Sequence, residues 1–160
     1  MEEQKIVIRF AKEEELEQVN QIRKQIHKLH CIQRENNFKP DGWEEIRDLV
    51  KLRFESEDSN VIVACKEGRI VGTAVVQYIH RPESPFQQAR NFCHIEEFGV
   101  DEKYRRQGIA TLLIDFIKED AKRRGFPKVE LNMWEFNESA LKCYESAGFR
   151  TYRRDLELFL

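Results

Sequence analysis

Arg105-Arg106-Gln107-Gly108-Ile109-Ala110 lies between an apolar, strand-like run ending at Val100 and a helical pattern starting near Gln107. A glycine-bearing turn that opens a helix leaves backbone N–H groups without intrahelical acceptors. Together with the helix dipole, those donors make a seat for an anion, best matched to phosphate. Gly108 and Ala110 remove side-chain bulk where a pyrophosphate would approach the backbone, and Arg105 and Arg106 add positive charge beside it. The stretch therefore points to a phosphate-bearing ligand.

Outward from this turn, the pattern alternates between strands and helices. Downstream, Gln107–Arg124 carries Ile109, Leu112, Leu113, Phe116, Ile117 and Ala121 on one broad apolar face. Glu119 with Arg123 and Asp120 with Arg124 are expected i,i+4 pairs, and Gly125 is the expected stop. Val129–Met133 reads as a strand. Asn137 is a good N-cap for a helix running to Ala147, with Gly148 as its stop. Phe149–Tyr152 and Leu156–Leu160 are expected as two closing strands.

Upstream, Lys5–Phe10 reads as a strand, Glu13–His30 and Trp43–Phe54 as helices, and Asn36–Gly42 as a turn-rich loop. Val61–Cys65 and Ile70–Ile79 form an expected hairpin through Lys66-Glu67-Gly68-Arg69, and Asn91–Val100 is the next strand. Arg81–Gln88, with Pro82 and Pro85, is an exposed loop. The order β-α-α-β-β-β-α-β-α-β-β implies an α/β protein with one domain spanning residues 1–160.

Composition narrows the function classes. The chain has 160 residues, 41% hydrophobic and 35% charged, with a net charge of -2, so neither disorder nor nucleic-acid binding is expected. The acidic start MEEQKIVIRF lacks a signal-peptide pattern and no apolar run approaches membrane-spanning length, which implies a cytoplasmic protein without a membrane partner. Cys31, Cys65, Cys93 and Cys143 are widely spaced, so a disulfide framework or a metal site is not expected. Cys93 and His94 are adjacent on a strand and point to opposite faces, which disfavours a thiol–imidazole pair.

The segment VDEKYRRQGIATLL resembles the acetyl-coenzyme A motif of the GNAT N-acetyltransferase family, Gln/Arg-x-x-Gly-x-Gly/Ala, through Arg105, Gly108 and Ala110. HIEEFGV resembles the family's fourth strand. LNMWEFNESALKCYESAGF resembles its second motif through Asn137, Ala140, Tyr144, Gly148 and Phe149. The resemblance extends over nearly the whole chain. It implies the GNAT acyl-CoA N-acyltransferase fold, a mixed central sheet flanked by helices, in which the fourth and fifth strands splay apart and pantetheine threads between them. Backbone groups near Phe98, Gly99 and Val100 would then bond the pantetheine, as an added strand does. Gly99 suits a bulge or a close backbone approach. Arg106, Gln107, Gly108, Ile109 and Ala110 would hold the pyrophosphate through their amides, with Arg105 beside them. Asn137 is an N-cap by its own pattern, and the family often has this asparagine near the coenzyme.

Acetyl transfer to an amine needs a deprotonated amine, a stabilised thioester carbonyl and a partner for the leaving thiolate. By resemblance, Tyr144 is the acid facing the sulfur. IEEFGV is similar to the corresponding strand of polyamine acetyltransferases, which carries the role of base to Glu96, directly or through water. Strict alternation puts His94 and Glu96 on one face and Glu97 on the other, unless a bulge near Phe98-Gly99 alters which acid points inward. Some histone-type members have a glutamate where His94 stands. His27, His30, Phe38 and Trp43 fall on the expected acceptor side. His30, Trp43 and Glu97 are taken as substrate-contact candidates.

The resulting expectation is an acetyl-CoA-dependent N-acetyltransferase acting on a primary amine of a small molecule by direct attack in a ternary complex. The rivals are a protein or peptide N-acetyltransferase and a non-catalytic coenzyme-A-binding regulatory module. A Rossmann dehydrogenase is disfavoured because no GxGxxG follows the first strand. Dimers are common in the family, so a homodimer is compatible with the sequence.

Overall fold

The computed structural model describes residues 5–160; Met1–Gln4, part of the acidic start read above, lie outside the described residues. Five strands form one sheet in the order β1-β2-β3-β4-β5. They are β1 (Ile6–Phe10), β2 (Ser59–Lys66), β3 (Arg69–Arg81), β4 (Arg90–Val100) and β5 (Val129–Leu131). The first four pair antiparallel, whereas β4 and β5 run parallel. The helices are α1 (Leu16–Gln33), α2 (Trp43–Glu55), α3 (Ile109–Arg123) and α4 (Glu138–Ser146).

The alternation of β2 decides the layers. Val61 and Val63 face α1 and α2, where they pack with Leu16, Val19, Ile22, Val50 and Val75. Ile62 and Ala64 face the other way and join Val71, Ala74, Val76, Cys93 and Ile95 under Ile109, Leu113, Ile117 and Ala121 of α3. The β2–β3 turn needs positive φ at both central residues, which Glu67 (50°) and Gly68 (77°) adopt. α3 sits close to the sheet because Gly72 has no side chain: a Cβ there would lie 2.9 Å from Ile109 Cγ2.

Asp120 ties α3 down further. Its buried carboxylate accepts from the Tyr78 hydroxyl at 2.6 Å and from Arg124 at 3.0 Å. Arg124 pairs with Asp120 as expected. Arg123 also turns to Asp120, at 2.6 Å, and Glu119 pairs with Lys122, so the expected Glu119–Arg123 pair does not form. A buried carboxylate gains more from a cation than an exposed one does.

Two other expectations are corrected. β3 and β4 are longer than the sequence pattern suggested, because Arg81 still pairs with Arg90 across the loop. The closing strands Phe149–Tyr152 and Leu156–Leu160 do not form, and residues 151–160 are exposed and without regular structure. The alternation of Leu156, Leu158 and Leu160 is a strand pattern, but a strand needs a neighbour to pair with, and this segment has none among the described residues. Among the described residues no helix is long and apolar enough to cross a membrane.

Candidate functional site

β4 and β5 pair only over Cys93–Ile95 and Val129–Leu131, and then they part. The parting coincides with an irregularity in β4. Val76 sits opposite Ile95 and Val75 opposite Glu97, so Glu96 is an extra residue, a β-bulge. Beyond it the β5-facing edge of β4 has no strand partner through Val100. Among the described residues that edge has no strand partner, so its main-chain groups could pair with an extended ligand.

The bulge also resets the faces. Cys93 and Ile95 point to the α3 side, and so do Phe98 and Val100. Glu96 and Glu97 consequently both reach the α1/α2 side. Strict alternation had separated them, and the bulge lies two residues before the expected Phe98-Gly99. Gly99 is a close-approach glycine, as expected, but toward a helix: a Cβ there would lie 2.1 Å from Ile26 Cδ1 of α1.

From the end of β4 the chain runs through residues 101–108 into α3. Arg106 (φ 63°) and Gly108 (φ 78°) adopt left-handed conformations on either side of Gln107. The first helical hydrogen bond runs from Leu112 to Gly108, and the amides of Arg105 through Thr111 donate to no group among the described residues. Gly108, as N-cap, offers no side chain in their place. Such a run of converging amides at a helix N-terminus is an anion seat. Arg105, Arg106 and Gln107 are exposed around it, and Gln107 accepts from Lys66 at 3.0 Å. A Cβ at Gly108 would meet nothing within 4 Å, so the space over the turn is open.

α4 forms the third side. Asn137 caps it through a bond from the Ala140 amide at 3.2 Å, as its sequence pattern predicts. Tyr144 is buried between Phe98 of β4 and Phe149, each ring 5.8 Å away, and burial pushes its phenol up to about 12. Its hydroxyl makes no hydrogen bond to the described residues and is not sealed from solvent.

Two arginines that sequence reading missed hold the strand acids. Arg53 of α2 grips Glu96 at 2.7 and 2.9 Å. Arg23 of α1 grips Glu97 at 2.5 and 2.9 Å and also donates to Asn20 and to the Ile46 carbonyl. A signal for Arg23 was present. It stands on the same stripe as Leu16 and Val19, and a charge on an apolar face implies an internal partner.

His94 is half-buried on the same side as Glu96. Burial lowers its pKa, partly offset by Glu96 and Glu130, so the imidazole is neutral near pH 7. Cys93, by contrast, is fully buried and its thiol is pushed up to about 12 by burial, which leaves it inert.

The acceptor-side aromatics come together. Phe38 stacks on His30 at 5.1 Å and meets Trp134 at 5.3 Å, while Phe136 meets His30 at 5.7 Å. Trp43 lies 6.0 Å from His27 and under the Arg23 guanidinium. Burial, then the neighbouring His27, lowers the pKa of His30. These contacts join the end of α1 and the loop after it to the segment between β5 and α4.

A model of the Acetyltransferase (GNAT) family matches residues 23–149, which includes the splayed strands, the amide turn and α4. The chain belongs to this family. It is 36% identical over 93 residues to a glucosamine 6-phosphate N-acetyltransferase of Trypanosoma brucei brucei, a match that covers 58% of this chain and 59% of that protein. The chain spans about half the length of the curated relatives it matches. Among solved structures it resembles a tetramutant of the BH1408 protein from Bacillus halodurans, with a TM-score of 0.87, 28% identity and coverage of 96% and 99% of the two chains. The aminoglycoside N-acetyltransferase AAC(6')-Iy in complex with CoA shares the fold, with a TM-score of 0.74, 17% identity and coverage of 98% and 95%.

Proposed function

We propose that this GNAT chain is an acetyl-CoA-dependent N-acetyltransferase that moves an acetyl group to a primary amine of a small molecule by direct attack in a ternary complex. One observation carries the reading. The unpaired edge of β4 leads into the free amides of Arg105–Thr111, so one extended ligand can meet a strand edge with its amides and an anion seat with its phosphates. Pantetheine pyrophosphate has that sequence of groups. The CoA complex of AAC(6')-Iy on the same fold supports it.

In this reading Phe98, Gly99 and Val100 pair with pantetheine, and Arg106–Ala110 bind pyrophosphate with Arg105 alongside. Asn137 and Tyr144 border the thioester. The two sides of the gap divide the labour. Tyr144 stands on the α3 side, and Glu96 reaches the α1/α2 side from which an amine would approach. A phenol at about 12 keeps its proton at neutral pH. Full transfer to a thiolate, whose acid has a pKa near ~8.5, would cost about 5 kcal/mol. Tyr144 therefore acts as a hydrogen-bond donor to the sulfur as negative charge develops there.

Glu96 is bound on both oxygens by Arg53, so it takes the amine proton through water. A second reading makes His94 the base, favoured by its neutral, half-buried imidazole on the same side. Glu96→Gln and His94→Gln separate the two, because only loss of the true base removes the pKa of the acid limb, where the rate rises with pH, from the pH–rate profile. His30 and Trp43 contribute to an aromatic wall for the acceptor. Glu97, committed to Arg23, sets the position of α1.

The T. brucei relative is named for an amino-sugar phosphate, which supports a small-molecule acceptor over a peptide. A panel of polyamines, amino sugars, amino acids and peptides, with detection of released coenzyme A thiol, tests the proposal. Turnover with a small amine is expected. Turnover with peptides alone would move the assignment to a protein N-acetyltransferase, and coenzyme binding without thiol release would make the chain a regulatory module.

A further inference from the structure

α1 reaches from β4 to the segment beyond β5. Its Ile26 lies against Gly99 of β4, His30 meets Phe136 at 5.7 Å, and Arg34, at its C-cap, lies over the Trp134 ring at 5.1 Å. Trp134 and Phe136 belong to the stretch that joins β5 to α4. Arg34 therefore stands at the outer end of the aromatic wall, on the α1/α2 side from which an amine would approach. Its position is set before any ligand arrives. The indole supports one face of the guanidinium, and Nε donates to the Asn37 side-chain oxygen at 3.0 Å. The side chain is 27% exposed, so it is still open to a ligand.

The partner of this guanidinium differs from those of the other arginines on this side. Glu96, Glu97 and Glu130 are held by Arg53, Arg23 and Arg90, and all six stand on helices or strands. Their charge is matched, so they do not call for a cationic acceptor. Arg34 instead meets Glu157 at 2.7 Å, a carboxylate 51% exposed on a stretch without regular structure. Among the described residues, this is the one hydrogen bond or ion pair made by residues 153–160. The apolar side chains around it anchor nothing, with Leu156 93% and Leu158 85% exposed. An exposed ion pair is weak, and a carboxylate held so loosely yields to another anion.

We propose, on the acetyltransferase reading above, that Arg34 selects an acceptor carrying an anionic group, a carboxylate or a phosphate, besides its amine. The Glu157 carboxylate stands where that group goes. A planar guanidinium presents parallel N–H donors to either anion. The amine then extends along the aromatic wall toward Glu96 and His94. An anion fixed at one end gives the acceptor a direction, which a wall of rings does not. Acceptors that are cationic throughout would meet an unmatched guanidinium and are disfavoured.

Matched acceptor pairs test the proposal: lysine against cadaverine for a carboxylate, and glucosamine 6-phosphate against glucosamine for a phosphate. Released coenzyme A thiol gives kcat and KM, and calorimetry in the presence of coenzyme A gives acceptor binding without turnover. The anionic member of at least one pair is expected to be preferred by at least about 10-fold in kcat/KM, mostly through KM. The pair that shows it tells carboxylate from phosphate. Arg34→Gln should bring that preference to within about 3-fold of unity, and Arg34→Lys should restore part of it. A merely structural arginine would change both members of a pair alike. Glu157→Gln removes the competing carboxylate and should lower KM for the anionic member by about 2–5-fold. Equal use of both members of both pairs would overturn the proposal, as would a preference that Arg34→Gln leaves intact, or a KM that Glu157→Gln does not lower. Thiol release in those cases keeps the acetyltransferase reading. Absence of thiol release from every acceptor rejects that reading instead. Calorimetric binding of an anionic member that depends on Arg34 would then still support the proposal, and absent binding, or equal binding by Arg34→Gln, would end it.

Discussion

Replacing Glu97 with glutamine separates a structural acid from a substrate contact. The Arg23 guanidinium is 4% exposed and has Glu97 as its one carboxylate partner among the described residues, at 2.5 and 2.9 Å. Its other donors go to Asn20 and the Ile46 carbonyl, which satisfy hydrogen bonds but not charge. Breaking a buried ion pair costs about 3–5 kcal/mol. Glu97 is 33% exposed, and glutamine keeps one acceptor for Arg23, so about 2 kcal/mol is the appropriate figure. For a chain of this size that lowers Tm by about 4–8 °C. Arg23→Met should cost a similar amount, and the double variant less than the sum, because the second change no longer strands a partner. Urea titration followed by tryptophan fluorescence is suited to the measurement, since Trp43 lies 5.8 Å beneath the guanidinium. Unchanged stability together with a many-fold rise in KM for the amine would instead make Glu97 a substrate contact.

Three further outcomes are expected. Gly99→Ala forces a Cβ into Ile26 and should destabilise the protein by about 1–3 kcal/mol, read as a lower urea midpoint at constant m. Tyr144→Phe should lower turnover by about 100-fold while calorimetric affinity for acetyl-CoA and the urea midpoint stay put, since its hydroxyl bonds to no described residue; equal turnover would remove the tyrosine from the chemistry. Glu15 is held below the ordinary carboxylate range by its Arg9 hydrogen bonds, against burial, so its contribution is present above about pH 4.5 and is lost as pH falls through the lower folded value. Arg9→Met should flatten that acid slope in thermal melts from pH 6 to pH 3, and an unchanged slope would show that the pair carries no pH dependence.

The amide turn was legible because its signals are local. Gly108 is required where φ is positive, Ile109 begins an apolar period, and both are visible in a few adjacent letters. Asn137 was legible for the same reason. The facing of Glu96 and Glu97 was not, since a bulge is a relation between two strands and β3 lies some twenty residues away in sequence. Arg53 and Arg23 come from helices far from β4, and only the charge on the α1 stripe hinted at a partner. Leu156–Leu160 show the converse case. The strand period is there, yet periodicity reports what a segment is suited to bury, not whether its own chain supplies the neighbour.

On the proposed function, the β4 edge and the turn at Gly108 together hold one coenzyme. Calorimetric titration of acetyl-CoA into the native chain and into Gly108→Val tests it most directly. A branched side chain at φ 78° is strained and would stand in the open space over the amides. One site per chain is expected in the native protein, and loss of at least about 100-fold in affinity, roughly 3 kcal/mol, in the variant. No binding to the native chain, or equal binding by the variant, would contradict it.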